Sequence, residues 1–218
     1  MITDIHTHRL PAVAGTAITS TGPETFTPVP GMYYSVGLHP WYLDRYAWRE
    51  PDFRARLAGI IAHPQVLAVG EAGLDKAVAV PLAEQMDAFR YQALLAEEAG
   101  KPLVIHLVRA TAELLALRRE LAPHVPWIVH SFRGKAQLAA ELVRHGLYLS
   151  FGERYHPEAL RSVPADRLFL ETDESPVPVD ELLARAAAFR GVGEDTLRTV
   201  LAENVGQCFG PHKGLFFS

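Results

Sequence analysis

The chain has 218 residues and a mass of 24.0 kDa, with 49% hydrophobic and 21% charged residues, as suits one soluble domain with a substantial core. A net charge of −4, with no block of Lys or Arg, argues against a broad electrostatic grip on nucleic acid, so any phosphate contact has to be local or made through metal. No run of eighteen apolar residues is present, which excludes an apolar membrane-spanning helix.

Apolar runs of strand length recur along the chain. In order they are MITDI at the start, AITS at 17–20, YYSVG at 33–37, VLAVG at 66–70, PLVIH at 102–106, WIVH at 127–130, LYLSF at 147–151 and LFLET at 168–172. Their hydrophobicity is continuous rather than alternating, as in strands of a parallel sheet buried on both faces. Helical patterns lie between them: FRARLAGIIA, LAEQMDAFRYQALLAEEAG, TAELLALRRELA, KAQLAAELVRHG, and VDELLARAAAFR starting at Val179 or Asp180. Gly100 and Gly146 stand where a helix-ending glycine belongs, just before a strand.

Eight strands alternating with helices predict a TIM-type (β/α)8 barrel, with residues 1–218 forming a single domain. Residues 9–32 are rich in Pro, Gly and Thr and fit no helix, so the first crossover helices are expected to be degenerate. A doubly wound open sheet is the alternative, but no glycine-rich phosphate loop supports it. The amino terminus MITDIHTH lacks the features of a signal peptide, and Cys208 is the only cysteine. Both point to a reducing compartment, and the cytoplasm is the expected location.

His6 and His8 lie two apart at the end of the first strand, where period-two alternation lets two imidazoles share one metal. Glu71, His106, His130 and Asp173 stand at the carboxyl ends of four further apolar runs. In a barrel those ends converge on one face, where active sites form. A lone histidine is commonly a hydrogen-bonded structural side chain. Six ligand-type residues at equivalent positions are better explained by a metal site.

The segments DIHTH, VGLHPW, VGEAGLD, PLVIH, VHSFRG and LETDESP occur in this order, and together they resemble the TatD family of metal-dependent deoxyribonucleases and related hydrolases. The resemblance runs to ENVGQCFG, which is similar to the family's closing helix. It implies that His6, His8, Glu71 and Asp173 hold one metal, with Glu71 bridging to a second held by His106 and His130. Such a pair, about 4 Å apart, polarises a phosphoryl oxygen and supplies hydroxide at neutral pH. Asp173 and Glu71 are then the catalytic carboxylates, with Asp173 accepting the proton of the attacking water. Some relatives bridge through a carbamylated lysine, but no lysine ends a central strand here, which favours the glutamate-bridged branch.

His39 is implied as a substrate contact. Arg133 is a candidate clamp for a phosphate oxygen, Trp41 a candidate base-stacking ring, and Glu174 an extra carboxylate that would reject anionic groups. The chain departs from the family in its short 9–32 region and in the stretch LDKAV. It also has Val108 where many members carry an arginine, with Arg109 one step later.

The expected function is a metal-dependent phosphodiesterase or deoxyribonuclease using one or two divalent ions drawn from Mg, Mn, Zn, Ni or Fe. Its substrate is single-stranded DNA or a small phosphoester. The alternatives are a hydrolase of a small amide, lactone or phosphomonoester, and a non-catalytic metal-binding protein. No protein partner is indicated.

Overall fold

A computed structural model describes residues 1–210. Eight parallel strands follow one another around the sheet in chain order. They are β1 (Asp4–Thr7), β2 (Ala17–Thr21), β3 (Tyr33–Val36), β4 (Val66–Asp75), β5 (Leu103–Val108), β6 (Trp127–Val129), β7 (Tyr148–Phe151) and β8 (Leu168–Leu170). All eight coincide with apolar runs read from the sequence. The helices are α1 (Pro51–Ile61), α2 (Leu82–Ala99), α3 (Thr111–Leu121), α4 (Ala136–Arg144), α5 (Pro157–Ser162), α6 (Val179–Arg190) and α7 (Glu194–Phe209). The result is a nearly closed β/α barrel.

The strands divide their apolar side chains between two cores. Ile5, Ile18, Ala68, Val104, Ile128 and Phe169 fill the interior, and Cys208 and Phe209 of α7 plug it from the amino-terminal end. Val36, Val69, Ile105, Val129, Leu149 and Leu170 belong to the outer core, with Leu57, Phe89, Leu114, Leu142, Leu183 and Leu201 from the helices. This double burial explains why the strands read as unbroken apolar runs. Asn204, in the ENVGQCFG segment, fixes α7 in place by donating from Nδ2 to Ala165 O (2.8 Å) and Leu168 O (2.9 Å).

The first quarter lacks helices, as expected. Residues 8–16 and 22–32 link β1 to β2 and β2 to β3 without one, and a 3-10 turn, Pro40–Arg45, follows β3. In place of a helix, Phe26 packs edge-on against Tyr34 with ring centroids 5.3 Å apart. The Tyr34 hydroxyl accepts from Val29 N at 3.0 Å. Among the described residues no helix is long and apolar enough to cross a membrane.

Two features were not read from the sequence. The short helix α5 has only six residues, too few to show a period. Strand β4 runs on to Asp75 instead of stopping at Gly70, so Glu71 sits inside the strand. Its pairing with β5 shifts between Val69 and Ala72. Gly70, at φ +133°, permits that irregularity, because a Cβ there would meet Val104 O at 2.5 Å.

The seam between the first and last strands is polar. Asp173 N donates to His6 O (2.9 Å), and His8 N donates to Asp173 O (3.3 Å). The buried Asp4 carboxylate accepts from Thr172 N (3.0 Å) and the Thr172 hydroxyl (2.7 Å). Burial pushes the Asp4 carboxyl up to about 6, against the pull of the Thr172 hydrogen bonds. The folded state therefore holds this proton more tightly than the unfolded chain, whose Asp titrates near 3.8. The stability this contributes is full below pH 3.8 and is lost as pH rises through about 6, amounting to roughly 3 kcal/mol. Asp4→Asn keeps the shape and avoids burying the charge. Thermal unfolding of chelator-treated protein should show a gain in Tm for Asp4→Asn at pH 8 that shrinks or reverses at pH 4. An equal effect at both values would contradict the buried-charge account.

Candidate metal centre

The site is built around one carboxylate. Glu71 of β4 is 5% exposed, and its two oxygens face two sets of side chains. Oε2 lies 3.4 Å from His6 Nε2 and 3.7 Å from His8 Nε2, both of the β1 end. Asp173, beyond β8, completes this lobe, with Oδ1 3.4 Å from His8 Nε2 and 3.9 Å from His6 Nε2. Oε1 lies 2.7 Å from His130 Nε2, 2.9 Å from His106 Nδ1 and 3.1 Å from His39 Nε2. The structure thus brings together all six residues expected as ligands, and sets His39, expected as a substrate contact, beside them.

Hydrogen-bond partners assign the nitrogens that can carry lone pairs. Asp75 Oδ2 lies 3.1 Å from His106 Nε2, and Glu171 Oε1 lies 3.2 Å from His130 Nδ1. A carboxylate only accepts, so both outer nitrogens carry hydrogen. The inner nitrogens, 2.9 and 2.7 Å from Glu71 Oε1, donate to it in the ion-free protein, and loss of those protons would leave their lone pairs facing a bound cation. A carboxylate holding a histidine from behind is the usual support for an imidazole metal ligand. His39 differs: its Nδ1 accepts from Trp41 N (3.1 Å), so Nε2 carries hydrogen and donates to Glu71.

His6 is wholly buried, and neither of its ring nitrogens has a hydrogen-bond partner. Such groups are rare unless something else satisfies them. An unpartnered buried imidazole, further imidazole nitrogens turned inward and two carboxylates make a donor set that fits divalent cations. Among the described residues three groups could hold an ion: His6, His8 and Glu71; His6, His130 and Asp173; and His39, Glu71 and His106.

The charges are mutually supporting. Burial pushes the Glu71 carboxyl up, but His130 and the hydrogen bonds from His106, His130 and His39 outweigh it and hold it well below the carboxylate range. Burial pushes His130 down, yet Glu71 and Glu171 raise it well above the ordinary histidine value. The hydrogen bond to Asp173 raises His8 against its burial, and for His39 burial wins and lowers it.

Above the centre opens a cleft of about 920 Å³. Its lining includes His39, Trp41, Tyr42, Val108, Arg109, Arg133 and Glu174. The remaining substrate candidates, Arg133 and Trp41, therefore stand at the mouth. Arg133 Nη2 donates to Ser131 Oγ at 3.1 Å. Arg109 is exposed and takes a left-handed backbone, φ +55°. Asp75 and Glu171 were not singled out from the sequence. The signal was available: Asp75 is four residues from Glu71 and Glu171 two from Asp173, spacings that keep one side of a strand.

An eight-stranded β/α barrel with imidazoles and carboxylates gathered at the carboxyl ends of its strands belongs to the class of metal-site barrels. Within that class, the chain belongs to the TatD-related DNase family, whose signature matches residues 23–210. It is 36% identical over 154 residues to a Bacillus subtilis protein named as the uncharacterized metal-dependent hydrolase YabD, covering 65% of this chain and 58% of that one. A 3'-5' ssDNA/RNA exonuclease TatD of Cronobacter sakazakii is 38% identical over 154 residues, covering 66% and 57%. The match thus spans less than two thirds of these relatives' length. The crystal structure of YjjV, a TatD homolog from Escherichia coli K12, superposes with a TM-score of 0.80 at 22% identity, covering 90% of this chain and 87% of that one. At that identity the likeness is one of fold.

Ligating imidazoles must be neutral, whereas His130 and His8 hold protons more tightly than usual in the metal-free protein. Loading at pH 7 should therefore release about one proton or more per chain. Calorimetric titration of Zn²⁺ in two buffers of different ionisation enthalpy should give different heats. Identical heats would contradict the displacement of protons from these histidines.

Proposed function

We propose that the protein is a metal-dependent hydrolase acting as a phosphodiesterase on the end of a single-stranded nucleic acid. The observation that carries this reading is the division of Glu71 between two lobes of ligand atoms, as a bridging carboxylate requires. The names of the Cronobacter and Bacillus relatives, an ssDNA/RNA exonuclease and a metal-dependent hydrolase, agree with it.

His6, His8 and Asp173 would hold one cation and His106 and His130 another, with Glu71 between them. Bound there, the cations supply Lewis acidity toward a phosphoryl oxygen and toward water. The mixture of imidazole and carboxylate suits Zn, Mn, Fe or Ni better than Mg. Asp173 is held ionised: burial pushes its carboxyl up, but the His8 hydrogen bond and the neighbouring His130 bring it below the ordinary value. It is the group placed to take the proton of an attacking water. His39 presents its Nε2 hydrogen beside Glu71, where it can also donate to a substrate oxygen. Arg133 and Arg109, at the rim, offer guanidinium donors to phosphate. Trp41 and Tyr42 offer exposed rings to a base.

A second reading is hydrolysis of a small amide, lactone or phosphomonoester. The net charge of −4, the Val108 side chain and Glu174 at the mouth favour it. In either case the protein is proposed to act as a single domain in the cytoplasm, a reducing compartment consistent with its lone Cys208.

A panel of labelled single-stranded oligonucleotides, bis-p-nitrophenyl phosphate and simple esters, each with several divalent metals, separates the readings. On whichever substrate is cleaved, Asp173→Asn should lower kcat at least ~100-fold. His39→Ala should alter activity while metal content by elemental analysis stays unchanged. Near wild-type turnover in Asp173→Asn would remove Asp173 as the base.

A further inference from the structure

Asp75 lies behind the cleft wall, and besides supporting His106 it reaches a second side chain that the metal-centre reading does not use. Its carboxylate is 2% exposed, and one oxygen serves two clients. Oδ2 accepts from the indole Nε1 of Trp41 at 2.7 Å and from His106 Nε2 at 3.1 Å. The other oxygen, Oδ1, accepts from Ala77 N at 2.7 Å. The residue itself is fixed from behind by Gln85, whose Oε1 accepts from Asp75 N (2.7 Å) and whose Nε2 donates to Asp75 O (2.9 Å).

Trp41 is otherwise half exposed at the mouth. Its ring meets His106 nearly perpendicularly, with centroids 5.7 Å apart, and His39 likewise at 5.0 Å. Without the bond to Asp75, little would fix the rotation of this large ring, and an unfixed ring makes a poor stacking surface.

We propose that Asp75 is a positioning residue that ties the substrate-facing indole of Trp41 to the metal-facing imidazole of His106 through a single carboxylate oxygen. The proposal rests on the reading of His106 as a metal ligand. It makes the cleft wall and the metal centre parts of one assembly, so that Trp41 acts as a specificity residue held in register with the site beneath it.

Asparagine cannot reproduce this arrangement. With the amide oxygen toward Trp41 and His106, the NH₂ group confronts the Ala77 N–H. With the amide reversed, NH₂ confronts the indole N–H and forces His106 into the other tautomer, with hydrogen on the nitrogen that faces Glu71. In the first orientation both clients keep only a weaker, neutral acceptor and Ala77 N–H loses its own; in the second the indole is released.

The test compares wild type, Asp75→Asn, Trp41→Phe and the double variant, each stripped with chelator and confirmed folded by circular dichroism. Zn²⁺ affinity is measured by competition with a chromophoric chelator, and kcat and KM are measured on bis-p-nitrophenyl phosphate and on a single-stranded oligonucleotide. Asp75→Asn should weaken Zn²⁺ binding ~10- to 100-fold, the usual effect of losing such a support, and should also raise KM for the oligonucleotide. Trp41→Phe should raise that KM while leaving Zn²⁺ affinity unchanged. In the double variant the two KM effects should not add, because both act through one ring.

Independently of the Asp75 variant, adding Zn²⁺ to stripped wild type should change tryptophan emission with the midpoint of metal binding, and the change should vanish in Trp41→Phe. Wild-type Zn²⁺ affinity and KM in a folded Asp75→Asn protein, additive KM effects, or emission that ignores Zn²⁺ would each overturn the proposal. Failure of wild type itself to bind Zn²⁺, Mn²⁺, Ni²⁺ or Fe²⁺ would overturn the metal-centre reading and the tether with it.

Discussion

A carboxylate removed from water among imidazoles is the constraint around which the top of this barrel is organised. Glu71 is 5% exposed, and burying an unpaired ion is among the most costly things a fold can do. The chain offsets this cost by converging five imidazoles on its two oxygens, four of them from the ends of strands or from residues just past them. Those imidazoles need support in turn, and Asp75 and Glu171 supply it from behind. A central carboxylate, a shell of imidazoles and an outer pair of carboxylates result, in which each group fixes its neighbour by hydrogen bonds. The low proton affinity of Glu71 and the high one of His130 are two views of the same arrangement.

The barrel makes such layering possible because its strands differ in sequence but agree in direction. β1, β4, β5, β6 and β8 contribute polar side chains near or just past their carboxyl ends, while the apolar residues below close the interior down to Phe209. Where strand geometry would aim a side chain wrongly, the backbone departs from regularity. Gly70 admits the shift in β4, and Asp173 takes a left-handed conformation at φ +54°. Positions of this kind concentrate at functional sites, where the surrounding packing holds them.

Much of this was legible in the sequence, and the reasons can be given residue by residue. Double burial wrote all eight strands as apolar runs, and the absence of any period in residues 9–32 marked the missing helices. Chemistry at strand ends exposed His6, His8, His106, His130 and Asp173, because a ligand-type residue after an apolar run is conspicuous. Asp75 and Glu171 were harder to see. Even spacing sets them beside Glu71 and Asp173, but a carboxylate that holds a histidine shows its role only once the partner ring is placed. The extension of β4 past Gly70 was concealed by a glycine that reads as a stop, and α5 was too short to show a pattern. Arg133, Trp41 and Arg109 fall at the mouth, where chain order alone gives no distances.

The meeting of the first and last strands has a consequence for how the molecule comes to exist. Asp173 binds the backbone of His6 and His8 across 165 or more residues of chain, and the same three residues form one lobe of the centre. Contacts of such long range are the slowest to form, because the whole intervening loop has to be ordered first. The lobe therefore cannot be assembled by a partly folded chain, however well its early strands are packed. Shutting the barrel and completing the ligand set are one event. Nascent or damaged molecules thus lack the His6, His8 and Asp173 lobe, and with it the carboxylate proposed to take the proton of an attacking water.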